Sequence, residues 1–118
     1  TPKPSSAASD VYKRQNQDRR LQLTHELFQK DAIILDELAS KSVQLISKKS
    51  GNGIGFTFSD FDHLVLWSSS NDGPFIALEP WTGLPTSDEE GDFFEDKKGV
   101  ILLRPQEQRT HQYRMTFL

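Results

Sequence analysis

Short apolar runs, several of them alternating with polar residues, recur along the chain from residue 32 onward. The runs occupy residues 32–35, 42–47, 54–59, 64–68, 75–79, 100–103 and 112–117. Period-two alternation predicts a strand with one buried face, and a short apolar run bounded by turn residues favours a buried strand. Seven short strands separated by turns predict an antiparallel all-β sandwich or barrel.

Turn residues and caps divide these runs. Lys-Lys-Ser-Gly-Asn-Gly at 48–53 predicts a turn, and therefore a hairpin between 42–47 and 54–59. Pro80 predicts the end of the 75–79 strand, because proline cannot donate to a central ladder. Thr24 is placed to cap a single helical turn over 25–29, with Glu26 favourably placed in that turn.

The first 20 residues have a different composition. They are rich in Pro, Ser, Ala, Lys, Arg and Gln and have almost nothing to bury, so we predict that they are disordered. Residues 4–15 also resemble the translated adaptor tails of some assembled environmental reading frames. On that interpretation the tail is artefactual and the natural segment begins near Asn16. The foldable part is 21–118, one domain or a portion of one.

Composition narrows the class of partner. The 118 residues carry a formal net charge of -3 and no cysteine. That balance provides no basic patch for nucleic acid or a membrane surface, and no run has the length of a membrane-spanning helix. Disulfides and thiolate chemistry are excluded. The start of the chain lacks the apolar segment of a secretory signal, so we expect a cytoplasmic protein of unspecified oligomeric state.

Glu79 is the most informative polar residue. It ends an apolar run directly before proline, which favours extended geometry and points the carboxylate where the strand points. In a concave sheet such a carboxylate can act as a general base at the floor of a cleft. The alternative is a solvated strand end paired with a lysine. Trp81 and Trp67 likewise fit either the aromatic face that stacks on a sugar ring or ordinary packing.

The remaining polar groups carry weaker signals. Asp60, Asp62 and His63 lie close together, but no third ligand stands at a spacing typical of a metal site, so a solvated turn is favoured. The acidic segment 84–98 lacks the ligand pattern of a calcium loop and is predicted to be a solvated, flexible loop that can rim a cleft beside Glu79. His25, Asp31 and His111 are isolated in the sequence.

The combined pattern resembles a known family. Phe-Ile-Ala-Leu-Glu-Pro-Trp-Thr-Gly at 75–83, the acidic loop, Lys-Lys-Gly-Val at 97–100, Leu-Leu-Arg-Pro-Gln-Glu at 102–107 and a closing Tyr-containing strand are similar to the C-terminal end of the aldose 1-epimerase (galactose mutarotase) family. Upstream, 23–34, the strand ending Leu-Trp-Ser at 66–68, and Gly-Pro-Phe at 73–75 also fit. The likeness is strongest to the LacX-like bacterial branch and spans about residues 21–118.

The resemblance implies a portion of a β-supersandwich that interconverts the α and β anomers of a free aldose without cofactor or metal. Glu79 then matches the general base. Trp81, Trp67, Asp31 and His25 are expected to bind the sugar. The resemblance places the acid histidine and a substrate-binding arginine upstream, in a part of the family's chain that this fragment lacks.

Two departures and two alternatives accompany this expectation. His63 stands where an aromatic residue is common, and Pro-Gln-Glu at 105–107 departs from a more usual Pro-Gly-Glu turn. None of His25, His63 and His111 is assigned the role of the acid, so we expect the chain alone to have little or no mutarotase activity. The alternatives are a non-catalytic carbohydrate-binding or sensing protein on the same scaffold, and a sugar-phosphate mutarotase, which needs a basic cluster that this sequence lacks.

Overall fold

The chain is built of short antiparallel strands. The computed structural model describes residues 20–36, 38–85 and 87–118, so the predicted disordered tail lies outside the described residues except for Arg20. The strands found there are β1 (Ile33–Leu35), β2 (Ser42–Ile46), β3 (Gly53–Thr57), β4 (His63–Trp67), β5 (Ala77–Trp81) and β6 (Arg114–Phe117). Within that described part they form two three-stranded sheets, ordered β1-β4-β5 and β2-β3-β6. The predicted fold class, all-β with antiparallel sheets, is confirmed.

The predicted hairpin is formed by β2 and β3. Ser42 pairs with Thr57 and Ile46 with Gly53, and the amide of Ser47 donates to the carbonyl of Asn52 (2.8 Å) to close the turn. Gly51 adopts φ of 76°, a left-handed conformation that glycine takes without the steric penalty of a side chain. The glycine-rich turn therefore sets the register that pairs the two alternating runs.

The described residues divide into two compact units. The first contains residues 20–36 and Leu64–Glu79. Its core is built from the 3₁₀ turn, β1 and β4, with these buried side chains: Phe28, Ile33, Leu35, Leu64, Val65 and Leu66. The strand β4 lies between β1 and β5, so both of its edges are paired. Three consecutive apolar residues of β4 are buried, and because successive side chains project from opposite faces, both faces of the strand are covered. Burying each such side chain stabilises the fold by about 1.5–3 kcal/mol.

The second unit contains the described residues of 38–63 and Pro80–Leu118. Its buried centre is aromatic. Phe58 is fully buried and stacks on Phe56 with ring centroids 5.9 Å apart, and the ring of Tyr113 lies 5.5 Å from Phe56. The amide of Phe58 donates to the carbonyl of Lys41 (2.9 Å), which holds the end of β3 against the start of β2.

Three predicted strands differ from the structure, and the smallest difference is at 112–117, where the strand begins only at Arg114. The apolar run 100–103 is not a strand; it has no strand partner among the described residues, and Leu102 and Leu103 are exposed. The strand predicted to end at Glu79 instead begins two residues later than expected and continues through Pro80 to Trp81. β5 is an edge strand of the described sheet, and an edge strand tolerates proline because its outward amide position needs no partner.

Helical structure in the described part of the chain is confined to 3₁₀ turns at His25–Phe28 and Phe94–Asp96. The predicted turn after Thr24 is therefore present, but the side chain of Thr24 makes no capping hydrogen bond. The second turn interrupts the acidic segment, which otherwise has the predicted loop character. Among the described residues, no helix has the length and apolar character needed to cross a membrane.

Candidate functional site

Glu79 is held on a strand. It occupies the middle of β5, where all five residues are half-buried. No hydrogen bond or ion pair to its carboxylate is found among the described residues, so the lysine pairing of the alternative interpretation is absent there. A half-buried carboxylate without a cation keeps its lone pairs available for a ligand. Glu79 therefore combines a rigid backbone with an unused acceptor.

Trp81 follows two residues later on the same strand. Side chains two apart on a strand project from the same face, so Glu79 and Trp81 share a face of β5. The carbonyl of Trp81 accepts a hydrogen bond from the amide of Asp62 (3.1 Å). The next residue, Thr82, packs against Gly99 so closely that a β-carbon at Gly99 would lie 2.9 Å from the carbonyl oxygen of Thr82. The backbone at Trp81 and directly after it is thus fixed by contacts within the second unit.

Trp67 lies in an exposed aromatic pair. It ends β4, and its ring lies 5.5 Å from the ring of Phe75 at an interplanar angle of 48°. Both side chains are exposed, Trp67 by 39% and Phe75 by 48%. The hydroxyl of Ser68, which is buried, donates to the carbonyl of Phe75 (2.7 Å) and ties the two ends of the loop together. The loop therefore presents two aromatic rings to solvent on a fixed base.

His25 packs against the same loop. Its Nδ1 lies 2.8 Å from the carbonyl oxygen of Ser69, and because a carbonyl can only accept, Nδ1 carries the proton and donates. In the neutral ring Nε2 is then an acceptor. The hydroxyl of Ser68 lies 3.5 Å from the same Nδ1. The structure thus joins His25 to the loop that follows Trp67, 44 residues away.

Asp31 is placed differently. Its carboxylate is exposed and its Oδ1 accepts a hydrogen bond from the adjacent amide of Ala32 (2.7 Å). No hydrogen bond or ion pair connects Asp31 with the other candidate residues in the part of the chain that is described. Its carboxylate caps the local backbone before β1.

The contacts of the cluster around residues 60–63 hold neighbouring segments together. Oδ2 of Asp60 accepts a hydrogen bond from the amide of Gln112 (2.8 Å), and His111 packs on Phe61 with ring centroids 5.4 Å apart. Nδ1 of His63 and Nε2 of His111 are buried and have no hydrogen-bond partner in the described part of the chain. Across the described ranges no group of three His, Cys, Asp or Glu side chains is arranged to hold a metal ion.

The acidic loop is organised by Glu90. Its carboxylate accepts hydrogen bonds from the amides of Ser87 (3.4 Å) and Lys98 (3.3 Å) and lies 3.7 Å from Nζ of Lys97. Burial alone would raise the pKa of Glu90, but the two amide hydrogen bonds and the charge of Lys97 together hold that pKa below its usual 4.5. The ionised carboxylate therefore closes the loop from residue 87 to residue 98.

The structure adds three residues to the set expected from sequence. Ser68, Ser69 and Phe75 contact His25 or Trp67, and the hydroxyl of Ser69 is buried with no partner among the residues that the structure describes. Serines before a turn carry no individual signal in a sequence, and the contact with His25 is long-range. The nearest sequence signal was the turn glycine Gly73. In the structure a β-carbon at Gly73 would overlap the hydroxyl of Ser69.

Two curated proteins similar to this chain are both named LacX. Protein LacX, chromosomal, of Lactococcus lactis subsp. lactis is 51% identical over 100 residues, which are 85% of this chain and 33% of the relative. Protein LacX, plasmid, of the same organism is 50% identical over 100 residues, again 85% of this chain and 33% of the relative. No protein-family model matches the chain. No solved structure matches it significantly. The chain is therefore similar to LacX proteins and spans about a third of the length of these curated relatives.

Proposed function

We propose that this chain contributes the general base and part of the sugar-binding surface of an aldose 1-epimerase-like protein. The observation that carries the proposal is Glu79, a half-buried carboxylate on β5 that has no hydrogen-bond or ion-pair partner among the described residues. The substrate class is a free aldose in its pyranose form. The name LacX specifies no reaction, so the activity rests on Glu79 and on the family resemblance of its flanking sequence.

The proposed reaction removes a proton from the C1 hydroxyl and adds a proton to the ring oxygen. Glu79 takes the proton of the C1 hydroxyl while an acid protonates the ring oxygen, the C1–O5 bond breaks, and a free aldehyde forms. Rotation about C1–C2 and the reverse steps close the ring on the other face of the carbonyl. A positioned general base contributes about a hundredfold to ten-thousandfold in rate. The resemblance assigns the acid to an upstream histidine, so the proposal gives no acid role to His25, His63 or His111.

The sugar-binding part of the proposal uses aromatic faces and neutral polar groups. Trp81 shares a face of β5 with Glu79, and an indole ring can pack against the apolar C–H face of a pyranose. Within the first unit, Trp67 and Phe75 offer a second aromatic surface on a loop fixed by Ser68. Nδ1 of His25 donates to the loop, which leaves Nε2 as the ring nitrogen that can meet a sugar hydroxyl.

The exposed Trp67–Phe75 pair also supports a second candidate, a protein that binds carbohydrate without catalysis. Binding needs the aromatic surface but does not need Glu79 to move a proton. The two candidates are separated by whether Glu79 affects the rate of anomer exchange or only the affinity for the sugar.

The test uses the 118-residue chain with the missing acid supplied from solution. Exchange between α- and β-galactose and between α- and β-glucose is measured by polarimetry and by NMR exchange spectroscopy, with and without imidazolium buffer. Glu79→Gln removes the base but keeps the shape, and Glu95→Gln, at an exposed carboxylate of the second 3₁₀ turn, is the matched control. Saturation-transfer NMR measures sugar binding in the same samples.

We expect little acceleration without imidazolium, and with it an acceleration above the buffer alone that Glu95→Gln keeps and Glu79→Gln loses. Sugar binding without any Glu79-dependent acceleration would favour the non-catalytic candidate. If the chain binds neither sugar, the proposal is wrong in both forms.

A further inference from the structure

The sheet β2-β3-β6 has one apolar face. In an antiparallel sheet, directly paired residues project on the same side. The two observed registers therefore place two residues from each strand on a common face: Val43, Leu45, Ile54, Phe56, Met115 and Phe117. The alternate positions on β6, Arg114 and Thr116, project from the opposite face. A sheet with one apolar face needs a second layer to cover that face.

Side chains at the centre of this face are buried, whereas those on β6 are exposed to solvent. Phe56 is buried, with 3% of its surface exposed, beneath contacts that include Phe58 and Tyr113. On the neighbouring strand, Met115 is 61% exposed and Phe117 is 92% exposed. Exposed apolar side chains that continue a buried face are typical of an interaction surface. We call Met115, Phe117 and the outer edge of β6 the β6 surface.

The outer edge of β6 is also available for backbone pairing. β6 pairs with β3 on one side, and the amide of Leu118 extends that pairing to the carbonyl of Gly53 (2.9 Å). No described strand pairs with its other side. Such an edge accepts an added strand through its free amides and carbonyls, while alternate side chains contact the same face.

A second apolar segment of the same unit lacks a cover as well. Residues 100–103 have the composition of a strand, but they are not in a sheet and Leu102 and Leu103 are exposed. A strand pattern that finds no partner within the described chain indicates a partner outside it. The β6 surface and residues 100–103 thus point independently to additional polypeptide.

We propose that the β6 surface docks the part of a LacX-like polypeptide that lies outside the 100 matched residues, through a strand added beside β6 whose apolar side chains cover Met115 and Phe117. The length of the relatives favours this occupant over others. The matched residues are a third of each LacX protein, so two thirds of a similar polypeptide are available to form the second layer. A second copy of this chain is the competing occupant, because two copies of the face could cover each other, and the experiment below separates the two.

The experiment co-expresses the tagged 118-residue chain with Lactococcus lactis LacX from which the 100 matched residues have been deleted. Co-purification is measured as a molar ratio by size-exclusion chromatography with light scattering. The soluble yield of the LacX polypeptide, with and without the chain, is a second readout that does not require it to fold alone. The variants are Met115→Lys and Phe117→Lys. Thr116→Lys, on the same strand and the opposite face, is the matched control.

We expect a 1:1 complex, at least a tenfold loss of co-purification with Phe117→Lys and with Met115→Lys, and no loss with Thr116→Lys. Amide hydrogen exchange of residues 114–118 should slow at least tenfold in the complex, because the added strand pairs with β6. The proposal is overturned if wild-type chain and LacX polypeptide do not co-purify and the soluble yield is unchanged. It is equally overturned if Thr116→Lys weakens the complex as much as Phe117→Lys does. A dimer of the chain alone that Phe117→Lys dissociates would assign the surface to a second copy.

Discussion

Two glycines with the same backbone conformation allow the cost of a close contact to be separated from the cost of a positive φ. Gly51 has φ of 76° and Gly99 has φ of 79°. A β-carbon at Gly51 would meet nothing within 4 Å, whereas at Gly99 it would lie 2.9 Å from the carbonyl oxygen of Thr82 and 3.3 Å from the α-carbon of Gly83. Alanine at each site therefore imposes similar backbone strain but very different crowding.

The expected magnitudes follow from these two terms. A non-glycine residue in the left-handed region costs about 1–2 kcal/mol. Alanine offsets part of this, about 0.4–1 kcal/mol, by restricting the unfolded chain. Gly51→Ala should therefore lower the free energy of unfolding by about 0–1.6 kcal/mol. Gly99→Ala also has to push the Thr82 carbonyl away until the 2.9 Å separation reaches the 3.4 Å of ordinary contact. Overpacking of this kind adds about 1–3 kcal/mol, so Gly99→Ala should cost about 1–4.6 kcal/mol.

The assay is urea unfolding of both variants and the wild type, followed by far-UV circular dichroism and by tryptophan fluorescence. Thr82 directly follows Trp81, so Gly99→Ala should also change the emission of Trp81 in the folded state, and Gly51→Ala should not. Trp67→Phe in each background isolates the Trp81 signal. Equal losses of stability in the two variants would refute the reasoning, because the Thr82 contact would then contribute nothing. An unchanged Trp81 emission in Gly99→Ala would refute the link between that contact and the strand that carries Glu79.

Three further predictions concern stability and the acidic loop. Phe58→Ala should lower the free energy of unfolding, measured with urea, by about 3–5 kcal/mol, because Phe58 is fully buried. Phe94 is an exposed aromatic of the same unit, so Phe94→Ala should change that free energy by less than about 0.5 kcal/mol. Ser68→Ala should cost about 0.5–1.5 kcal/mol in the same assay, because it removes the hydrogen bond to the part-buried carbonyl of Phe75. The lowered pKa of Glu90 means that its contribution to stability is fully present above pH 4.5 and is lost as the pH falls through the lower pKa of the folded state. The amide resonance of Lys98 should report that titration below pH 4.5 and should stop reporting it in Glu90→Gln.

Each of these has a result that contradicts it. Similar losses for Phe58→Ala and Phe94→Ala would show that the aromatic centre of the second unit does not determine its stability. A neutral Ser68→Ala would show that the hydroxyl does not hold the loop after β4. A Lys98 amide that titrates at or above pH 4.5 would place the pKa of Glu90 on the wrong side of its usual value.

Local pattern accounts for most of the strands. The alternation in 42–47 and 54–59 and the glycine-rich turn between them specify β2, β3 and their pairing, because a one-residue slip would move every apolar side chain to the other face. The continuous apolar run at 64–68 predicted β4, and its burial on both faces explains why that run does not alternate. Pro80 was misinterpreted as a strand end because its effect depends on whether the strand is central or at an edge, which the sequence does not state.

The candidate site divides in the same way. Glu79 and Trp81 could be singled out from sequence because strand geometry alone puts residues two apart on one face. His25 could not be connected with Ser69, 44 residues away, because no local rule relates a 3₁₀ turn to a distant loop. Asp31 was expected to bind the sugar, and its contacts show a local hydrogen bond to Ala32, so its place in the site stays a prediction.

The sequence by itself therefore determined the all-β class, the β2–β3 hairpin and the strand that carries Glu79, because periodicity and turn chemistry act between near neighbours. Only the tertiary structure decided that Glu79 lacks a partner among the described residues, that His25 donates to the loop after Trp67, and that 100–103 is not a strand. Those outcomes depend on which distant groups meet, and a strand pattern becomes a strand only where another strand satisfies its backbone hydrogen bonds.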